Sequence, residues 1–335
     1  MKKEILPILQ CPKTRGQLEL KIIKESEDEI IDGILKCGIN EYPIENGVMN
    51  FLDTNDNYIQ QEMMHNYSSR KELEDKFGKD ELEDFLVNEA LGLTESDYYD
   101  TYTRSTMDEF LGKLNLKNST ILEIGGSSGR DLIKYFRHNN NNCVELDINP
   151  FLFESSQILI KHNNFYYERV RQDMNILPFK DESFDFVFGS ATFHHVDDPS
   201  ISFKEIYRIL KPGGLFYILN ERTLSVLKPE LKHDITQEME FAHEHAFFSK
   251  EWTEYLEKAG FSVKCIRPQY FNYRRIIERV YGKSKPKTKL GRIRYLYYIL
   301  FRKLNLNNSN SLLKILQRIE DYYFGNVPYN AVAKK

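Results

Sequence analysis

The chain has 335 residues, a formal net charge of −4 and 41% hydrophobic residues. That length can bury one substantial core and a second small one, and the slightly negative balance excludes a surface that as a whole attracts nucleic acid. Four cysteines (Cys11, Cys37, Cys143 and Cys265) are too scattered for a disulfide framework and fit a reducing compartment. No apolar run approaches membrane-spanning length. The apolar stretch at the N-terminus is short and interrupted by Pro7, which does not suit a signal peptide, so a cytoplasmic protein is expected.

Residues 1–52 read as a small β-rich unit. A short apolar segment meets a turn at Pro12 and Gly16, and Leu18-Glu19-Leu20 then alternates like a strand. Residues 34–37 and 41–44 read as further short strands. Residues 53–110 form a linker and helical lid. Residues 53–61 are polar and suggest an exposed link. Residues 71–93 have helical spacing with many opposite charges four apart, interrupted by Gly78, and predict a charge-laced surface helix. Residues 103–116 predict a helix leading into the next unit.

The third unit, residues 111–335, opens on ILEIGGSSGR at 121–130. This is a buried strand carrying Glu123, then a turn with Gly125, Gly126 and Gly129, then the start of a helix. Glycines there let the backbone turn tightly and approach a ligand closely. A second strand ends at Asp147, whose carboxylate can accept both ribose hydroxyls of a nucleoside, NAD included. Asn149 and Pro150 start the next helix, with Asn149 as its N-cap. Asp173 follows a third strand. Residues 181–190 give a fourth, in which Asp185 interrupts an apolar run and needs a reason to be there. The loop SATFHHV at 190–196 leaves its carboxyl edge. Residues 206–221 supply a helix, a Pro-Gly-Gly turn and a fifth strand. Ser249 caps a helix, residues 259–268 hold a sixth strand, and the last residues match an antiparallel seventh. An α/β fold with a seven-stranded mixed sheet is expected.

These positions carry a resemblance. Glu123, Gly125, Gly126 and Gly129, then Asp147, Asp173, Phe184-Asp185 and Leu210-Lys211-Pro212-Gly213-Gly214 follow in order. Residues from about 110 to 266 thereby resemble the small-molecule type of class I S-adenosylmethionine-dependent methyltransferase, the methyltransferase-11-like kind. The departure is Ser127, where that family usually has its middle glycine. The resemblance implies a Rossmann-like sheet with helices on both faces and S-adenosylmethionine as cofactor. It implies that Glu123 supports the turn and meets the methionyl ammonium. It further implies that Asp147 takes the ribose, that Asp173 bonds the adenine amine and that Met174 packs near the ring. The region before the first strand lies over the cofactor in related enzymes. That makes Tyr99, Tyr102 and Arg104 lid residues, with Arg104 suited to the methionyl carboxylate. The first unit resembles the zinc-ribbon-like Trm112-type domain. Each of its cysteine pairs retains only the first cysteine, with Thr14 and Asn40 in the second places. Such a set is poor for zinc, so a metal-free descendant is expected.

Methyl transfer needs an acceptor placed in line, water excluded and one proton managed. Histidine suits the last task by its near-neutral pKa. The candidates are His194, His195, His243 and His245. His195, at the end of the fourth-strand loop, is first; His245 is second; Glu221, after the fifth strand, is a third ionisable candidate. His194 and His195 are adjacent and cannot easily both face the pocket.

Residues 270–325 form a long insertion before the last strand, read as two or more helices. From Tyr273 to the end, fifteen basic residues stand against three acidic ones. Basic residues flank an apolar strip between 292 and 303. The expectation is a cap on the catalytic domain, with peripheral contact to the inner face of an anionic membrane through 273–303 as the other use. The sequence therefore predicts methyl transfer to an oxygen or nitrogen of a small or lipid-linked metabolite. The alternatives are an RNA methyltransferase, against which the SATFHHV loop argues, and a non-catalytic methyltransferase-like adaptor. Oligomeric state is left open.

Overall fold

A computed structural model describes residues 1–90, 98–224, 245–266, 292, 296 and 328–335. The insertion at 270–325, with its expected cap and membrane strip, lies outside the described residues apart from Arg292 and Leu296, as does His243.

The strands are β1 (Glu19–Ser26), β2 (Glu29–Cys37), β3 (Asn40–Glu45), β4 (Val48–Asn50), β5 (Thr120–Ile124), β6 (Asn142–Asp147), β7 (Glu168–Arg171), β8 (Phe184–Ser190), β9 (Leu210–Glu221), β10 (Ser262–Cys265) and β11 (Tyr329–Lys334). The helices are α1 (Asn57–Ala90), α2 (Tyr98–Phe110), α3 (Arg130–Phe136), α4 (Leu152–Asn163), α5 (Pro199–Ile209) and α6 (Ser249–Lys258). All the described strands join one sheet in the order β1-β2-β3-β4-β7-β6-β5-β8-β9-β11-β10. From β4 to β9 the neighbours across β7, β6, β5 and β8 run parallel, and β11 is antiparallel to both β9 and β10. The order reverses at β5, and the cleft at that reversal is where open α/β sheets bind ligands.

Among the described residues the sheet holds eleven strands, because the N-terminal unit adds its own four to the edge. Val48, Met49 and Asn50 pair in parallel with Arg169, Val170 and Arg171. Arg169 also pairs with Glu29 on β2. One buried cluster runs through Ile5, Leu35, Ile44 and Met49 into Leu122, Leu146, Val170 and Val187 of the central strands. Cys11 and Cys37 are both free thiols; the first contacts the Tyr42 hydroxyl at 3.1 Å and the second the Thr14 hydroxyl at 3.4 Å.

Strand alternation explains the two faces. On β5, Leu122 and Ile124 point to the shared core, while Ile121 points to a second cluster with Leu132, Ile133, Phe136, Phe186 and Phe188. Glu123 and Glu145 lie on that second face, in register on β5 and β6.

Three local expectations change. Residues 57–61 are helical rather than an exposed link, because Ile59 is buried and starts the inward face of α1. The helix after Asp147 begins at Leu152, and Asn149 instead accepts the Phe151 N–H at 2.8 Å, bending the chain ahead of the helix. Ser249 is the first residue of α6 rather than its cap, and the Glu251 carboxylate accepts the Phe248 N–H at 2.8 Å.

Candidate active site

A cleft of about 240 Å³ opens at the carboxyl ends of β5, β6 and β7. Gly125, Asp147, Asp173, Met174 and His195 line it, together with Glu62, Asn66, Ser127, Gln172 and Thr192. Of the other predicted site residues, Glu123, Gly126, Gly129, Arg104 and His245 do not line it.

The glycine-turn side is built from strand ends. Asp147 ends β6, and its two carboxylate oxygens accept the backbone N–H groups of Ser127 and Asn149, each at 2.8 Å. It thereby ties the glycine turn to the second strand. Ser127 sits at φ 57°, in the left-handed region that glycine adopts at least cost, so the missing glycine falls where one would be most useful. Gly125 has a steric reason: a Cβ there would stand 1.9 Å from the Thr192 hydroxyl oxygen. A Cβ at Gly126 would stand 2.4 Å from the Glu123 carboxyl carbon. Glu123 is thus buried under the turn, 3% exposed. Burial, then the negative charge of Asp131, pushes its carboxyl up to about 8. Its neighbour Glu145 is also raised by burial, then by Glu123 and Asp147. Arg104 stands near Asp131, whose carboxyl burial raises while Arg130, Lys134 and Arg104 pull it down. Asp173 accepts the Asn175 N–H at 2.9 Å, and burial raises its carboxyl.

Asp185 interrupts β8 to fasten the sheet's other end. It accepts the Thr120 N–H at 2.8 Å and pairs with Lys211 at 2.8–2.9 Å. The Phe-Asp and Leu-Lys-Pro-Gly-Gly stretches are therefore two halves of one contact.

The opposite side is assembled from distant segments. Glu221 ends β9 and is fully buried. One of its oxygens accepts the N–H groups of Thr192 and Phe193, both at 3.0 Å; the other meets the His194 N–H at 3.1 Å and the His194 ring Nδ1 at 2.9 Å. The loop after β8 is wrapped around this single carboxylate. His194 is spent on that contact and stacks on His195, with ring centroids 4.6 Å apart. His195 turns to the cleft. His245 lies behind: its N–H donates to the His194 carbonyl at 2.7 Å, and its ring stands 2.8 Å from Asp197.

Helix α1 closes the cleft from above. Ile59, Glu62, Asn66 and Arg70 recur at three- and four-residue spacing and share a face. Arg70 bonds Glu154 at 2.8 Å and lies over the Phe151 ring, which docks α1 on α4. Glu62 is only 4% exposed, and its carboxylate stands 3.8 Å from His195 Nδ1. Sequence reasoning missed Glu62, Asn66 and Thr192. The available signal was a polar line continuing the phase of Ile59, which marks a helix facing a polar site rather than a core.

Residues 122–218 match the methyltransferase domain family. The match spans β5 to β9 and so covers the cleft's floor. A bifunctional biotin biosynthesis protein of Teredinibacter turnerae is 40% identical over 102 residues, 29% of this chain and 17% of that protein. A malonyl-[acyl-carrier protein] O-methyltransferase of Marinomonas is 30% identical over 122 residues, 35% of this chain and 44% of that one. A ubiquinone/menaquinone biosynthesis C-methyltransferase of Rickettsia prowazekii is 30% identical over 119 residues, 33% and 48% of the two chains. The chain thus spans less than half the length of each of these relatives. Together the match and the relatives support an S-adenosylmethionine-dependent methyltransferase. The residues fit that cofactor: the cleft places a glycine-lined turn, a strand-end carboxylate and a second carboxylate beside an apolar side chain along one wall. Among the described residues, no helix is long and apolar enough to cross a membrane.

Proposed function

We propose that the chain methylates an oxygen or nitrogen of a small or lipid-linked metabolite, releasing S-adenosylhomocysteine. One observation carries this reading: Gly125, Asp147, Asp173, Met174 and His195 converge on one cleft at the point where strand order reverses. Asp147 would hold the ribose hydroxyls, Asp173 the adenine amine, and Met174 would pack on the ring. When bound, the cofactor supplies a methyl carbon already activated by its sulfonium.

The chain's own work is placement and proton handling. Thr192 packs on Gly125 and fixes the distance between the β8 loop and the glycine turn. Glu221 holds that loop, and so positions His195 at the cleft. His195 would take the proton that the acceptor's O–H or N–H gives up on methylation. The relatives divide between an O-methyltransferase and a C-methyltransferase, and a histidine in the cleft suits an acceptor that must lose a proton, as a hydroxyl or amine does on methylation.

Calorimetry with S-adenosylhomocysteine on the purified full chain tests the reading. Binding should be saturable, and silence at millimolar ligand would sink it. A metabolite-extract screen with radiolabelled cofactor would then name the acceptor. With that acceptor, His195→Ala should slow turnover about 10²–10⁴-fold while cofactor affinity changes far less.

A further inference from the structure

We propose that Glu62 is the positioning carboxylate of His195: it turns the imidazole so that Nδ1 faces the lid helix and Nε2 faces the acceptor. The proposal rests on the reading of the cleft as a methyl-transfer site and adds to it the residue that sets the base's orientation and tautomer.

Four features of the structure converge. Glu62 is buried, yet its side chain is carried on a helix whose neighbouring inward positions are Ile59 and Asn66. Its carboxylate oxygen is 3.8 Å from His195 Nδ1, a separation that a small ring rotation would close to hydrogen-bond length. Both residues line the same cleft. The helix itself is anchored independently of the pair, through Arg70 to Glu154 and through Tyr67 edge-on to Phe151. The carboxylate is therefore presented to the ring by a docked element.

Among the described residues around His195, Glu62 is placed for this task. His194 stacks on one face of the ring, and its own Nδ1 is engaged by Glu221. Asp147 also acts on His195, but its oxygens accept the backbone N–H groups of Ser127 and Asn149. With Nδ1–H donated to Glu62, Nε2 carries the lone pair that accepts the acceptor's proton. The imidazolium formed in that step then gains the carboxylate's charge at Nδ1. A carboxylate that orients a histidine and stabilises its cation recurs wherever a histidine serves as base.

The test reads the ring directly and needs no acceptor. The full chain is labelled with ¹⁵N-histidine, and imidazole shifts are followed by NMR from pH 5 to 9 with S-adenosylhomocysteine added. His195→Gln assigns the signal. In the native chain the neutral ring should carry its proton on Nδ1. In Glu62→Gln the pKa of His195 should fall by roughly 0.5–1, while Glu62→Asp, which keeps the charge, should fall less. Asp147→Asn should leave the Nδ1–H tautomer in place. An unchanged His195 pKa in Glu62→Gln, or a proton on Nε2 in the native chain, would overturn the proposal. Thermal melting of each variant checks the fold, and Glu62→Asp provides the comparison if the glutamine variant unfolds. Failure to bind S-adenosylhomocysteine would instead count against the methyl-transfer reading, and the two results are read from separate signals.

Discussion

The two walls of the cleft are built in opposite ways. The cofactor wall uses strand ends that lie side by side in one parallel sheet, and its contacts are mostly between carboxylates and backbone N–H groups a few residues or one strand away. Asp147 holding Ser127 and Asn149 is the pattern. The wall proposed for the acceptor presents residues 62, 192 and 195, with 194, 221 and 245 behind them, and its organising group is one buried carboxylate, Glu221. A wall made from adjacent strand ends tolerates local change. A wall that hangs on a single buried charge does not, because removing one partner of a buried polar contact leaves the others desolvated and unmatched.

The sharpest way to break this contrast is Glu221→Ala. It strands three backbone N–H groups and the His194 ring in the interior, and should cost about 3–5 kcal/mol of stability by urea unfolding. A loss below 1 kcal/mol would mean that the acceptor wall is as locally supported as the cofactor wall. On the cofactor side, Asp147→Ala should weaken S-adenosylhomocysteine binding by about 1–3 kcal/mol in calorimetry. Native affinity in that variant would place the nucleoside elsewhere.

A third measurement concerns the carboxyls buried beneath the glycine turn. Glu123 is lifted from 4.5 to about 8, so across that interval the folded chain binds more protons than the unfolded chain. Stability should therefore fall as pH rises from about 5 to 8, with a slope of at most about 1.4 kcal/mol per pH unit for one proton. The groups around it are Glu145, Asp131 and Arg130. Glu123→Gln should flatten the slope in urea titrations run at several pH values. An equally steep fall in that variant would move the effect to another group. The smallest expected change is Ser127→Gly. It relieves a left-handed serine but loosens the unfolded chain, for a net gain of up to about 1 kcal/mol. A clear loss of stability would show that the serine side chain contributes more than its backbone strain costs.

The cofactor wall was legible because its chemistry is written in short, contiguous runs. A strand, an acidic residue and a glycine turn are neighbours in the chain before they are neighbours in space. The reason for Asp185 was half legible: a charge in an apolar strand demanded a partner, and only the fold brought Lys211 to it. The acceptor wall resisted for the same reason in stronger form. Glu221 read as a loose ionisable candidate, and nothing local in the chain marks it as the group on which the SATFHHV loop closes.

What the sequence determined by itself was the period and order of the strands, the turn at Gly125 and the carboxylate at Asp147, all set by contacts within a few residues or between adjacent strands. Only the tertiary structure decided three other things. The first four strands extend the parallel sheet through β4 and β7. His194 goes inward to Glu221 while His195 faces the cleft. A polar face of α1 brings Glu62 to His195. Each depends on burying apolar surface and pairing polar groups distant in the chain, from 27 residues between His194 and Glu221 to 133 between Glu62 and His195, and such long-range pairing leaves no periodic trace in the segments that make it.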